Sequence, residues 1–412
     1  WTSELSKDFT TAVSFGLEYC DLPTMLWNVA VLWRPLTINI DKRCTKRIPM
    51  IFYILGIIIS LSSLYVYLLS MIWFVFIKCR ETGDILAATV VFSLGVASQI
   101  GTCKLFFMFL YKEEIRDIVE TYLNCNADEF PMSRFAGNIR RTLRIVKRRA
   151  ITFWLVLIFN GIFYWGKPIV MPGRHLSEDS FIYFGLEPMF ESPNYEIAMC
   201  VTTFGILFTV YLPANITALF IVITGYTEAE LLALSEEIKY MWKDAVEYSK
   251  TKPIIIIVND KTTMNEYVQI ALTEIVKRHS VNINIIRKTE DIYKGAIAME
   301  FLLLTIALIA DLLGGLENTY LTMPYSLMQV AMDCLVGQRL MDASAVFENA
   351  VYDSKWEIFN NENMRTVLLM LQNSQKTLTL SAGGVTMLSF ASLASVLKAI
   401  YSTYTTLRST LK

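Results

Sequence analysis

Ser392, Ser395, Ala399, Ser402, Thr406 and Thr410 recur near the C-terminal end at steps of three or four, so a helix places these small residues on one face. In an apolar setting, hydroxyls so spaced either line a water-filled path or let a second helix approach closely. Spacing alone leaves both readings open. Catalysis finds little to use. His175 and His279 are the only histidines, and no metal-binding motif surrounds either one. Seven cysteines, at positions 20, 44, 79, 103, 125, 200 and 334, form no CxxC pair. The glycine doublets Gly314-Gly315 and Gly383-Gly384 lack the Lys and Ser/Thr of a phosphate loop. An enzyme is therefore not expected, and neither a cofactor nor a metal is implied.

The elements that must position the hydroxyls are apolar. The 412 residues are 54% hydrophobic and 18% charged, against about 25% charged in soluble domains, and the mean hydropathy is +0.43. A net charge of −1 gives no basic excess to recruit nucleic acid. Crossing a hydrocarbon core takes about 20 helical residues, and seven runs are read as spans. They are Ile48 to Ile77, Ile85 to Leu110 with Lys104, Ile151 to Trp165 with its basic leader, Ala198 to Thr224 with Pro213, Ala296 to Leu316 with Glu300 and Asp311, Pro324 to Leu340 with Asp333, and the C-terminal run from residue 378. Intramembrane charges mark the fifth and sixth as bundle-interior helices. Proline in the fourth is tolerable if a neighbour satisfies the freed carbonyl.

Lys and Arg in the connections set the orientation. The segment before the first span, the RRTLRIVKRR stretch (Arg140 to Arg149) and Gly225 to Lys288 are basic, whereas Glu317 to Met323 has no Lys or Arg. The fold class expected is an all-α membrane protein: seven transmembrane helices, a cytoplasmic N-terminus, an extracellular C-terminus and long cytoplasmic helix extensions forming an anchor region. Residues 1–47 are a cytoplasmic segment in which Leu22 to Trp33 forms an interfacial or re-entrant helix, and 48–224 hold the first four spans. Residues 225–290 are cytoplasmic extensions with a break at Pro253 to Asp260. Residues 291–340 hold spans five and six, 341–377 anchor helices, and 378–412 the seventh span. Trp1 to Leu26 has no signal-peptide pattern, so the first span is expected to direct insertion. Cys79 and Cys200 then lie near the outer face, where a bridge and two free thiols are equally compatible. This orientation is opposite to that of a G-protein-coupled receptor, and neither Asp-Arg-Tyr nor Asn-Pro-x-x-Tyr stands where that class would carry it. A transporter would show inverted repeats, and none is visible.

The segment GQRLMDASAVFENAVYDSKW, followed by NMRTVLLMLQNSQKTLTLSAGGVTMLSFASLASVLKAIYSTYTTL, resembles the C-terminal signature of the insect odorant receptor family. Matching positions are Gly337, Tyr352 and Trp356, then Arg365, Gln375 and Gly384, then Phe390, Lys398, Tyr401, Ser402 and Leu407. This covers about the last fifth of the chain. The related gustatory receptors, a second chemosensory channel class, end in Thr-Tyr, apolar residues and Gln-Phe, and no Gln-Phe follows Thr403-Tyr404 here. The family's co-receptor has large aliphatics where this chain has Thr406 and Thr410, which makes the chain similar to a tuning subunit.

The resemblance implies a ligand-gated, non-selective cation channel in which four subunits each give the seventh helix to one pore. It implies assembly with the odorant receptor co-receptor (Orco) in a heterotetramer at the plasma membrane of an olfactory neuron dendrite. Membrane lipid, permeating cations and a small volatile odorant would be its other partners. The pore and gate would be lined by Ser395, Ala399, Ser402, Thr406 and Thr410. The family's pocket lies in the outer halves of spans two, three, four and six, which here supply Phe92, Ser93, Asn160, Phe163, Tyr164, Met199, Thr203, Tyr325, Met328 and Met332. A cavity of a few hundred Å³ is expected there. Lys398 is expected either to pair with a buried carboxylate such as Asp333 or Glu300 or to snorkel.

Overall fold

The computed structural model describes residues 16–43, 48–127, 134–251 and 260–410. The break at Pro253 to Asp260 lies almost wholly outside them. Long helices dominate: α1 (Leu22–Trp33), α2 (Met50–Thr82), α3 (Ile85–Leu110), α4 (Lys112–Ala127), α5 (Arg134–Val170), α6 (Asn194–Thr251), α7 (Asp260–Gly314), α8 (Thr322–Tyr352), α9 (Asn361–Ser374) and α10 (Phe390–Thr410). Five of them, α2, α3, α5, α6 and α7, are long and apolar enough to cross a membrane. By composition α8 and α10 fall short of that criterion, because α8 encloses Gln329 and Asp333 and α10 carries the hydroxyl ladder.

The spans differ in what they face. In α6 89% of the most apolar window is buried, against 22% in α2 and in α5, so α6 is the bundle axis and the other two present apolar side chains outward. Pro213 sits inside α6 without ending it. Its missing N–H frees the Thr209 carbonyl one turn earlier, and the Tyr325 hydroxyl donates to that carbonyl at 2.7 Å. Around the same turn the Trp33 indole donates to the Asn215 carbonyl, the Trp154 indole to Asn215 Oδ1, and the Tyr211 hydroxyl to the Leu32 carbonyl. These bonds hold α1 and α5 to the middle of α6. Asp21 starts α1 by accepting from the Thr24 N–H, as Asp84 starts α3 by accepting from Ala87.

Several helices run beyond their apolar stretches. The basic leader of the third span belongs to α5, a single helix of 37 residues. The helix α6 continues to Thr251, and α7 runs unbroken through both the amphipathic segment and the fifth apolar run. Arg134 ties the α5 leader to the α6 extension by donating to Glu237 and Asp244.

The C-terminal span starts later than its composition suggests. Ser381–Ala382 (β1) and Thr386–Met387 (β2) pair antiparallel, and Gly383 and Gly384 make the turn between them at φ of +66° and +75°. That conformation favours glycine and is incompatible with a right-handed helix, so α10 begins at Phe390 rather than near residue 378.

Candidate functional site

A small cavity of about 40 Å³ lies where α2, α3, α5, α6 and the start of α8 converge. Tyr67, Ser98, Asn160, Tyr164, Thr209 and Tyr325 bring polar atoms to its wall. The Asn160 amide donates to the Leu321 carbonyl at 3.0 Å, which fastens α5 to the corner before α8. The Thr209 hydroxyl is buried and has no hydrogen-bond partner among the described residues. Residues 171–193 fold against the bundle beside this region. Phe181 meets Phe74 edge-on at 5.5 Å, the Tyr183 and Thr202 hydroxyls lie 2.7 Å apart, and the Tyr65 hydroxyl donates to the Phe184 carbonyl. A volume of 40 Å³ is little more than one water's share of about 30 Å³, so the described arrangement is closed. Ligand pockets measure about 300–1,000 Å³, and the expected few hundred Å³ would need the aromatic walls to separate. Two larger apolar cavities, of about 550 and 380 Å³, open on the flanks, one beside α2 and one beside α1.

A second polar cluster is fully buried. The Lys104 ammonium stands 2.7 Å from Glu300 Oε1 and 4.0 Å from Asp333 Oδ2, and it donates to the Thr217 hydroxyl at 2.9 Å. The carboxylates expected to be available to Lys398 are thus taken by Lys104, while Lys398 is exposed on α10. Asp311 is held separately, its Oδ1 accepting from the hydroxyls of Ser93 and Thr322.

The helix α10 packs on its own chain through Leu393, Val396 and Ile400, and only Ile400 is fully buried. Ser395, Ala399, Ser402, Thr406 and Thr410 are all exposed on a face roughly 120° round the helix from that contact. Their hydroxyls bond within the helix: Ser395 to the Ala391 carbonyl, Thr406 to Ser402 and Thr410 to Thr406. Among the described residues no other helix covers the ladder. A third face exposes Phe390, Leu397 and Tyr401.

Of the residues expected at the ligand site, Asn160, Tyr164 and Tyr325 meet at the cavity. Ser93 is turned to Asp311, and Thr203 accepts from the Trp165 indole at 3.0 Å. Phe163 is 66% exposed. Phe92, Met199, Met328 and Met332 pack in or against the hydrophobic core. Tyr67, Ser98 and Thr209 were not expected. Nothing local signals Tyr67, which comes from the first span, but Thr209 stands four residues before Pro213 and so owns the carbonyl that the proline frees. Cys79 and Cys200 are free thiols.

A family model described as 7tm Odorant receptor matches residues 84–401. Among solved structures, the chain resembles the insect olfactory receptor OR5 from Machilis hrabei in complex with eugenol, with a TM-score of 0.74 at 14% identity over 94% of this chain and 98% of that one. A second structure of OR5 from Machilis hrabei gives 0.73 at 13% identity, with the same shares covered. At this identity the likeness is one of fold. No curated protein sequence matches.

Proposed function

The chain belongs to the 7tm odorant receptor family, and on that premise we propose that it is an odorant-gated, non-selective cation channel subunit. Its ligand site is the region around Asn160, Tyr164, Thr209 and Tyr325, which opens from its closed volume when a volatile, mainly apolar molecule enters. The orientation has the N-terminus in the cytoplasm and the C-terminus outside. The segments are those expected from sequence, except that the seventh span starts at Phe390. The observation that carries the channel reading is the state of α10, a long helix whose hydroxyl face is bare. One helix per chain cannot enclose a conduit, so several chains must bring these faces together. Heteromers with the family's co-receptor, tetrameric in the plasma membrane, supply them.

Gating follows as a population shift. A ligand that fits only an enlarged cavity binds the open arrangement better and raises its population by that difference in affinity. The wall of the closed cavity carries the Thr209 hydroxyl, which has no hydrogen-bond partner among the described residues, so a ligand carrying an oxygen function suits it. Eugenol, which OR5 from Machilis hrabei binds, belongs in the first panel of odorants. The test is whole-cell current under that panel with G-protein signalling blocked, for this chain alone and with the co-receptor. Current that appears on co-expression supports the reading. Silence in both cases, with surface expression verified and a broad panel applied, contradicts it.

A further inference from the structure

The Lys104, Glu300 and Asp333 cluster plays no part in ligand contact or conduction as proposed above, yet it buries three ionisable side chains in the bundle. All three side chains are at most 4% exposed. Among the described residues Lys104 is the one cation paired with either carboxylate. Two carboxylates against one ammonium leave one negative charge unbalanced, and an unbalanced charge in an apolar interior is strongly destabilising. A single proton held by the carboxylate pair removes it. Glu300 Oε2 and Asp333 Oδ2 have no hydrogen-bond partner among the described residues, so each carboxylate has an oxygen free to take part in holding that proton.

Placement gives the cluster a role. Lys104 is on α3, Glu300 on α7, Asp333 on α8 and the Thr217 hydroxyl on α6. On α8, Tyr325, Gln329, Asp333 and Gly337 recur at every fourth position and so follow one face over about 18 Å. Tyr325 is at the cavity, and Gln329 is buried with its amide unpartnered among the described residues. Gly337 lies against Leu388, where a Cβ would sit 2.3 Å from the Leu388 carbonyl oxygen. One residue on, the Gln338 side chain accepts from the Phe390 N–H that opens α10. Any displacement of α8 that the cavity demands must therefore strain or release the ionic cluster before it reaches α10.

We infer that Lys104, Glu300 and Asp333, with one proton shared by the two carboxylates, form an electroneutral latch that clamps α8 to α3 and α7 in the closed channel. It opposes the movement of α10. These are positioning residues, and the inference rests on the channel reading above.

Four forms of the assembled receptor test it: wild type, Glu300→Gln, Glu300→Gln with Asp333→Asn, and that pair with Lys104→Met added. Melting of the purified assembly reads charge balance without any ligand or current. The single variant keeps a balanced pair and melts close to wild type. The double variant strands the ammonium and melts well below it, and the triple variant recovers most of the loss. Ligand-free current per receptor at the surface reads the latch, and the triple variant, which has no ion pair, raises it about tenfold. A single variant that melts well above wild type overturns the shared-proton balance, because wild type would then carry an unbalanced negative charge, and a triple variant no more stable than the double overturns the pairing of Lys104 with these carboxylates. A triple variant with wild-type ligand-free current overturns the latch. If wild type with co-receptor passes no current under the odorant panel, the channel reading fails and the latch has no gate to hold, while melting still decides the charge balance.

Discussion

Tyr325 earns its place through a proline. Pro213 frees the Thr209 carbonyl and Tyr325 supplies the missing donor at 2.7 Å, so Tyr325→Phe leaves a buried carbonyl unpaired. The expected loss is about 1–3 kcal/mol, read as a lower melting temperature of the purified receptor. In a Pro213→Ala background the helix supplies its own donor, and the same substitution costs distinctly less. Equal losses in the two backgrounds would contradict this. His279, on the α7 extension some 17 residues before the apolar run, raises a different issue. Its ring stacks on Phe347 at 4.4 Å and neither nitrogen has a partner among the described residues, and burial pushes its pKa down to about 4 from 6.5. The folded state therefore refuses a proton that the unfolded chain accepts below 6.5, so stability falls as pH drops from about 6.5 towards 4, by up to about 3 kcal/mol. His279→Phe keeps the stack, and its stability is expected to be flatter across that window. Melting curves at pH 7.5 and 5 check this. Little of such pairing was legible beforehand. That an amide within a span, such as Asn160, needs a partner follows from its residue type, but that Lys104 rather than Lys398 takes Glu300 and Asp333 depends on which helices adjoin, which no local spacing encodes.

At the scale of elements, hydropathy located the apolar cores of the helices well because length and composition set what can cross a bilayer. It located their ends less well. The α5 leader is helical as well as basic, and Gly383 and Gly384 turn back a hairpin where an apolar pattern suggested helix. Two elements approach closely at Gly337, where α8 meets the backbone just before α10. Gly337→Ala places a methyl group against the rigid Leu388 carbonyl, and α10 must shift. Odorant-evoked current is expected to fall by about tenfold or more at matched surface abundance, as overpacking costs about 1–3 kcal/mol. Surface labelling with current recording measures both quantities, and unaltered current would deny that this contact sets the position of α10.

The whole molecule is a bundle built round α6 with an unfinished side. The outward faces of α2 and α5 suit lipid, being apolar and little buried. The ladder on α10 does not, since five small residues with four hydroxyls stand bare on one face while Phe390, Leu397 and Tyr401 are exposed on another. In an assembly the hydroxyl face turns to water and the apolar face to protein or lipid. Cysteines placed singly at Ser402, Thr406, Leu397 and Tyr401, probed by a charged, membrane-impermeant thiol reagent during odorant-evoked current against wild type as control, test this most directly. The account predicts block at Ser402 and Thr406 and none at Leu397 and Tyr401. Block confined to Leu397 and Tyr401, or absent at all four positions while each reacts when the receptor is unfolded, would contradict it.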